Sequence, residues 1–185
     1  MECTVNQFMK FRNLKRKSNV MKKQISLSVI FLSLILVSCG TQNRGTADSP
    51  EYKQMVEMVR DLEFEIENEW ANPTQYSRVN LIGNPNQIKF ENDSVEVFLP
   101  FFGERFSGGA YDSDGGAIQY KGVPEKLQIE ENPKKGAVNV IFEGNRKTEN
   151  LNFFITIYPN GVARTSVTST QREKISYDGR IVNRQ

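Results

Sequence analysis

Nine short apolar or β-branched runs, separated by turn residues, fill the chain after Pro73 and constrain its fold more than any other feature. Turns such as Asn92-Asp93, Asn160-Gly161 and Asp178-Gly179 separate them. Because the connections are too short for crossover helices, neighbouring strands must run antiparallel. The pattern predicts an up-and-down barrel or a strongly curled sheet of about eight strands. The predicted strands are 77–81, 87–90, 94–99, 117–120, 126–130, 137–142, 151–157, 162–168 and 174–181.

One helix is predicted before these strands. Ser49 supplies a side-chain cap, Pro50 takes the first helical position and Glu51 lies at the positive end of the helix dipole. Apolar residues then recur at three- and four-residue spacing until Asn72-Pro73. The opposite face is acidic, which favours packing on the sheet over binding to a membrane. The apolar positions are Tyr52, Met55, Val56, Val59, Leu62, Ile66 and Trp70. The expected fold class is therefore mainly β (α+β), with an N-terminal amphipathic helix packed on the sheet.

The first 38 residues are typical of a bacterial export signal. Seven basic residues and one acid are followed by an uncharged apolar run over 25–37. As a helix this run is about 20 Å long, short of the roughly 30 Å hydrocarbon core, so we predict a cleaved signal peptide over 1–38. We expect translation to begin at Met21 or Met9, with 1–20 as a start-site artefact. Without the leader the chain carries 17 basic and 21 acidic residues, a net charge of −4 that disfavours nucleic-acid binding.

The predicted cleavage site lies in Leu36-Val37-Ser38-Cys39-Gly40, which resembles the lipobox of bacterial lipoproteins. The resemblance implies cleavage between Ser38 and Cys39, diacylation of the Cys39 thiol and acylation of the new amino terminus. Two or more acyl chains give stable membrane anchoring. The alternative is an ordinary signal peptide that happens to end in cysteine. Residues 39–49 are polar and predict a flexible tether to a single domain over 50–185. We expect this domain in the cell envelope, on the outer membrane and facing the periplasm.

Composition excludes several reaction classes. The chain has no histidine, and its two cysteines are Cys3 and Cys39, so the mature chain has no free thiol if Cys39 is acylated. Serine and cysteine nucleophiles that need an imidazole base are excluded, as are histidine zinc sites. Asp112-Ser113-Asp114-Gly115 resembles part of a calcium loop, but Ala110 and Lys121 stand at its two end positions, which favours a hairpin turn. We predict no metal and no cofactor.

The stretch from Leu99 to Gly116 is the most unusual in the domain because it mixes aromatic residues, glycines and one charge pair. Arg105 offers a planar fork for a carboxylate or phosphate, and the aromatics offer stacking faces. The alternative is that the aromatics plug one barrel end while Glu104 and Arg105 form ion pairs, and that Arg172 and Tyr177 anchor the sheet. The candidate ligand or partner site comprises Phe101, Phe102, Glu104, Arg105, Tyr111, Arg172 and Tyr177.

Four segments resemble the signature segments of a bacterial lipoprotein family, the domain of unknown function 4251 (DUF4251). They are Phe64-Glu65-Ile66-Glu67 to Trp70-Ala71-Asn72-Pro73, Leu99-Pro100-Phe101-Phe102-Gly103-Glu104-Arg105, Gly116-Ala117-Ile118-Gln119-Tyr120, and Arg172-Glu173-Lys174-Ile175-Ser176-Tyr177-Asp178-Gly179. The resemblance covers about Tyr52 to Ile181. It implies an envelope location and an architecture similar to lipocalin-like barrels, and it assigns no activity and no catalytic residue.

Three functional classes remain open at this point. The favoured class is a membrane-anchored protein that binds a small ligand or an envelope protein without catalysis. The second class is an envelope hydrolase that uses paired carboxylates, because a glycosidase can work without histidine. The third is a structural or inhibitor-like interaction protein. A filled barrel with an exposed apolar patch would favour the third, and a carboxylate of raised pKa in a cleft would favour the second.

Overall fold

The computed structural model describes residues 49–106, 116–146 and 148–182. The predicted signal peptide, Ser38, Cys39 and all of the tether except Ser49 lie outside the described residues, as does Tyr111. No helix in the described part of the chain has the length and apolar character needed to cross a membrane.

The described residues form one strongly curled, antiparallel half-barrel sheet with a single short helix, which confirms the predicted fold class. Each of the nine predicted strands overlaps an observed one, and the sheet gains a tenth. Its strands are β1 Phe64–Pro73, β2 Val79–Asn80, β3 Gln87–Glu91, β4 Ser94–Leu99, β5 Ile118–Gly122, β6 Glu125–Asn132, β7 Ala137–Arg146, β8 Glu149–Ile157, β9 Val162–Ser169 and β10 Ile175–Val182.

The strand order is β5-β4-β3-β1-β10-β9-β8-β7-β6, with the short β2 paired to β1. Successive strands are neighbours from β3 to β5 and from β6 to β10, and the central strand β1 joins these two groups by pairing with both β3 and β10. The sheet thus ends at β5 on one side and β6 on the other. Tyr120 of β5 nevertheless packs on Gly144 of β7, where an added Cβ would lie 2.8 Å from the tyrosine ring. This aromatic contact brings the two ends of the curled sheet together.

The helix α1 spans Pro50–Arg60 and begins as predicted, because the Ser49 hydroxyl accepts a hydrogen bond of 3.1 Å from the Tyr52 N–H. Its buried face consists of Tyr52, Met55, Val56 and Val59. The helix packs on β6 and β7, and Arg60 forms an ion pair with Glu131 of β6. The apolar stripe therefore belongs to the core, as expected from its spacing.

The predicted extension of this helix to Trp70 is wrong. Leu62 adopts a φ of 53° just after the helix, and Ile66 and Trp70 lie in β1. Ile66 pairs with Ile88 of β3 and with Ile181 of β10, so β1 is a central strand. A longer helix would leave the backbone of both neighbouring strands unpaired, and this cost exceeds any gain from the helical spacing.

A series of phenylalanines fills the concave side of the sheet. Phe64 stacks on Phe90 with ring centroids 4.7 Å apart, and Phe142 stacks on Phe153 at 4.5 Å. Phe90 meets Phe142 edge to face at 5.5 Å, and this contact joins β3 to β7 across the interior. At this level the half-barrel is therefore occupied by its own side chains.

Candidate functional site

A buried ion pair organises one end of the half-barrel. Arg172 lies between β9 and β10, and its side chain is 4% exposed, against 10% for Glu149 at the start of β8. The Arg172 Nε donates to Glu149 Oε1 at 2.7 Å and its Nη2 donates to Oε2 at 3.0 Å. Its Nη1 donates to the carbonyls of Gly116 and Ala117. One guanidinium thus joins the β9–β10 connection to the starts of β8 and β5 with bidentate geometry.

This arrangement shifts the titration of Glu149. Burial alone would raise the pKa of the Glu149 carboxyl, but hydrogen bonds from Arg172 and Ser169 and the charges of Arg172 and Arg105 outweigh it, so the pKa is lowered. The Ser169 hydroxyl donates to Glu149 Oε1 at 2.5 Å. The carboxylate is therefore held in its charged form, which suits an ion-pair partner and not a general acid.

The chain after β4 folds over this end. The Tyr177 hydroxyl, on a fully buried side chain, donates to the Pro100 carbonyl at 2.9 Å, and burial raises the pKa of Tyr177. Phe101 and Phe102 pack against the core, and the Arg172 guanidinium carbon lies 5.4 Å from the Phe101 ring centroid. These four side chains have the positions expected of the structural alternative, a barrel-end plug with its anchors.

The three residues after Gly103, Glu104–Phe106, form what we call the rim segment. Arg105 and Arg172 form an antiparallel β-bridge, in which the Glu173 N–H donates to the Glu104 carbonyl and the Phe106 N–H donates to the Gln171 carbonyl. Gly103 precedes the segment, and a Cβ there would lie 2.8 Å from the tip of the Phe101 ring, so a larger residue would have to displace that ring. The backbone of the rim segment is thus fixed to the β9–β10 connection.

All three side chains of the rim segment are exposed. The Arg105 Nη2 makes one long hydrogen bond of 3.5 Å to the Gly116 carbonyl. Phe106 is 67% exposed, among the highest values for large apolar residues in the described chain. The result is a cation and an apolar ring on consecutive residues of a fixed backbone, both exposed to solvent.

The structure describes six of the seven predicted site residues and divides them into two groups. Arg172, Tyr177, Phe101 and Phe102 are buried or packed on the core, whereas Glu104 and Arg105 are exposed. The predicted set omits Phe106, although its position next to Arg105 in the aromatic and glycine-rich stretch was a usable signal. Within 49–106, 116–146 and 148–182, no three acidic or cysteine side chains gather closely enough to hold a metal ion.

Comparisons with known proteins agree with this fold. The family model described as "Domain of unknown function (DUF4251)" matches residues 46–181. A crystal structure of a DUF4251 family protein from Bacteroides eggerthii DSM 20697 is similar to this chain with a TM-score of 0.53 and 15% identity, over 74% of this chain and 89% of that one. No curated protein matches the chain. Because the family model matches most of its length, the chain belongs to the DUF4251 family.

Proposed function

We propose that this protein is a lipid-anchored component of the cell envelope that binds a partner protein through its rim segment and performs no catalysis. The observation that carries this proposal is the exposure of Phe106 beside Arg105 on backbone that the β-bridge to Arg172 holds in place. A phenylalanine exposed in this way contributes little to the core, and its apolar area is available to a partner, since aromatic residues are enriched at interfaces.

The filled interior supports binding at the surface over binding inside the barrel. A lipocalin-like barrel holds a small ligand only where its interior is open. Here the contact between Phe90 and Phe142 crosses the concave side of the sheet, and Ile66, Ile88 and Val140 around it are fully buried. A ligand at this level would have to displace core side chains.

The composition of the rim segment indicates the chemistry of the partner. Arg105 presents several N–H donors to solvent and the following residue, Phe106, presents an apolar ring; arginine and aromatic residues are enriched at interfaces. Glu104 lies on the same segment and would oppose a strongly acidic surface. The best match is a protein that presents both an acidic side chain for Arg105 and an apolar residue for Phe106.

The electrostatics of the buried acid weigh against a carboxylate hydrolase. A glycosidase needs one carboxyl group whose pKa is raised so that it can act as the general acid. Glu149 is the buried carboxylate nearest the rim whose titration is clearly shifted, and its pKa is lowered by its hydrogen bonds with Arg172 and Ser169. Its bidentate bonding to Arg172 also leaves it badly placed to contact a substrate.

Site-specific photo-cross-linking in the native cells tests the rim. A photoreactive phenylalanine analogue at position 106 should capture a discrete envelope protein, and Arg105→Ala in the same chain should reduce the yield. Ile82 is a matched control because it is 65% exposed, against 67% for Phe106, but lies away from the rim between β2 and β3. Equal capture at positions 82 and 106, or no capture at 106, would overturn the proposal.

Membrane anchoring is tested separately. Cys39→Ser should abolish incorporation of labelled palmitate and release the protein from the membrane fraction, because no thiol remains at the cleavage site. Palmitate incorporation that persists in Cys39→Ser would exclude the lipobox interpretation and leave the rim proposal intact.

A further inference from the structure

The convex face of the sheet carries a second group of side chains that neither the fold nor the rim requires. They project from β8, β9, β10, β1 and the residue before β2, on the side of each strand opposite the buried core positions. The group, called here the outer-face site, consists of Trp70, Asn72, Arg78, Phe154, Arg164, Ser166, Ser176 and Asp178.

Two arginines converge on one carboxylate within this site. The Arg78 Nη2 donates to Asp178 Oδ2 at 3.2 Å, and the Arg164 Nε lies 3.5 Å from Asp178 Oδ1. Asn72 also donates to Oδ2, at 3.1 Å. Two guanidiniums carry ten N–H donors between them, far more than one carboxylate can accept. The cluster therefore keeps a net positive charge and presents most of its donors to solvent.

The cations are held in position although they are exposed. The Arg78 guanidinium carbon lies 4.2 Å from the centroid of the Trp70 ring, within the range of a cation–π contact. The Arg78 and Arg164 side chains are 49% and 67% exposed, so neither is closed off by the sheet. Stacking and pairing reduce the side-chain freedom that would otherwise be lost when an anion binds.

A recess of short hydroxyl side chains adjoins the two arginines. Ser166 of β9 pairs directly with Ser176 of β10, two residues along each strand from the Arg164–Asp178 pair. On either side stand longer residues, the exposed Phe154 of β8, which pairs with Ser166, and Asn72 of β1, which pairs with Ser176. Phe154 and Asn72 are three strand spacings apart, about 14 Å, which is wide enough for a sugar ring with its substituents.

The choice of cation on this face is a separate observation. The strands β7, β8, β9, β10 and β1 contain no lysine, and their basic residues are all arginine. Lysine is common elsewhere in the domain, for example Lys89 in β3 and Lys121 in β5. Arginine is the residue suited to bidentate recognition of planar or tetrahedral anions, while lysine acts as a point charge.

We propose that the outer-face site binds an acidic saccharide, a sugar unit that carries a carboxylate or a phosphate. Arg78 and Arg164 hold the anionic group, and the Ser166, Ser176 and Asn72 side chains exchange hydrogen bonds with the sugar hydroxyls. The exposed ring of Phe154 contacts the apolar C–H face of the sugar. Asp178 is a positioning residue that fixes the two arginines. The proposal is independent of the protein partner proposed for the rim segment.

Binding of the full-length protein in detergent to defined polymers tests this site. The probes are oligogalacturonate, whose sugars carry carboxylates, and phosphomannan, whose sugars carry phosphates. Dextran is the neutral sugar control and poly-glutamate is the anionic control without sugar. We expect at least one acidic saccharide to bind and both controls to fail, and the one that binds identifies the anionic group. Failure of both acidic saccharides, or equal binding of poly-glutamate or of anionic lipid vesicles, would overturn the proposal.

Substitutions in the outer-face site test where on the surface the acidic saccharide binds. Arg78→Ala and Arg164→Ala should each weaken binding about tenfold or more, the usual size of a lost hydrogen bond to a charged group. Arg180→Ala is the matched control, because Arg180 is 59% exposed on the same strand as Asp178 and pairs with Glu69 at 3.2 Å outside the recess. Ser166→Tyr should block the recess while the circular dichroism spectrum stays unchanged. Equal weakening by Arg180→Ala, or full binding by Ser166→Tyr, would contradict the proposed location.

Discussion

Arg172 and Arg105 face each other in one β-bridge and have opposite surroundings. Arg172 is buried, bidentate to Glu149 and bonded to two backbone carbonyls. Arg105 is exposed and makes one long contact with the Gly116 carbonyl. Both residues are arginines in adjoining segments, so the residue type alone does not explain why one is buried and the other exposed. What separates them is the number of acceptors that the fold brings to each guanidinium, and this number decides which arginine stabilises the domain and which is free to bind.

The strongest test of this difference between Arg172 and Arg105 is a substitution of Glu149, the ion-pair partner of Arg172. Glu149→Gln should lower the free energy of unfolding by about 3 to 5 kcal/mol, because it leaves the buried Arg172 charge without its partner. Chemical denaturation of the full-length protein measures the change. Glu143→Gln is the control, because Glu143 pairs with the exposed Lys126 at 2.9 Å and should change stability by at most about 1 kcal/mol. Similar losses in the two variants would show that burial does not distinguish the ion pairs.

The contact between Tyr120 and Gly144, which joins the sheet ends, should give the next largest effect on the free energy of unfolding. Gly144→Ala should cost about 1 to 3 kcal/mol, because the new Cβ would lie 2.8 Å from the Tyr120 ring and must displace it. Tyr120→Ala removes the obstacle, so the cost of Gly144→Ala should largely vanish in the double variant. If the two changes were simply additive, Tyr120 would not pack on Gly144 in solution.

Lowering the pH tests the same ion pair, with a smaller and gradual loss in the free energy of unfolding. Because the pKa of Glu149 is lowered in the folded protein, its contribution to stability is complete above the ordinary glutamate pKa, which is about 4.3, and is lost as the pH falls through the folded value. Burial opposes the shift, so the loss should be smaller than that caused by Glu149→Gln. The stability difference between the native protein and Glu149→Gln, measured from denaturation curves, should therefore narrow, without vanishing, as the pH falls from about 6 to about 2. A constant difference would contradict the lowered pKa.

Much of the sheet could be predicted from sequence because strand alternation and turn residues are local signals. Gln87 to Leu99, for example, contains two alternating runs around Asn92-Asp93, and it forms the β3–β4 hairpin. The strand β1 could not be predicted this way. Leu62, Ile66 and Trp70 fit helical spacing, while Phe64, Ile66 and Asn68, which are buried, fit the period of a strand. The choice depended on β10, which lies about a hundred residues further along the chain.

The same error concealed the outer-face site. With Trp70 assigned to a helix, nothing placed it next to Asp178, and its contact with Arg78 had no reason to be expected. The alternation of Glu65, Ile66 and Glu67 was the available signal for a strand. At the rim, sequence identified Arg105 as a candidate but could not tell that Arg172 is saturated by Glu149, Gly116 and Ala117, since these acceptors come from distant segments.

The smallest stability effect is expected at Arg105, and it completes the comparison with Arg172. Arg105→Ala should change the free energy of unfolding by no more than about 0.5 kcal/mol, because an exposed side chain with one long hydrogen bond stabilises little. The same substitution should reduce cross-linking of the partner through position 106. Arg172→Ala should behave in the opposite way and unfold the domain, since it leaves Glu149 buried without its partner. If Arg105→Ala also unfolds the domain while the remaining folded protein still captures its partner, Arg105 is a structural residue and the rim segment belongs to the barrel plug.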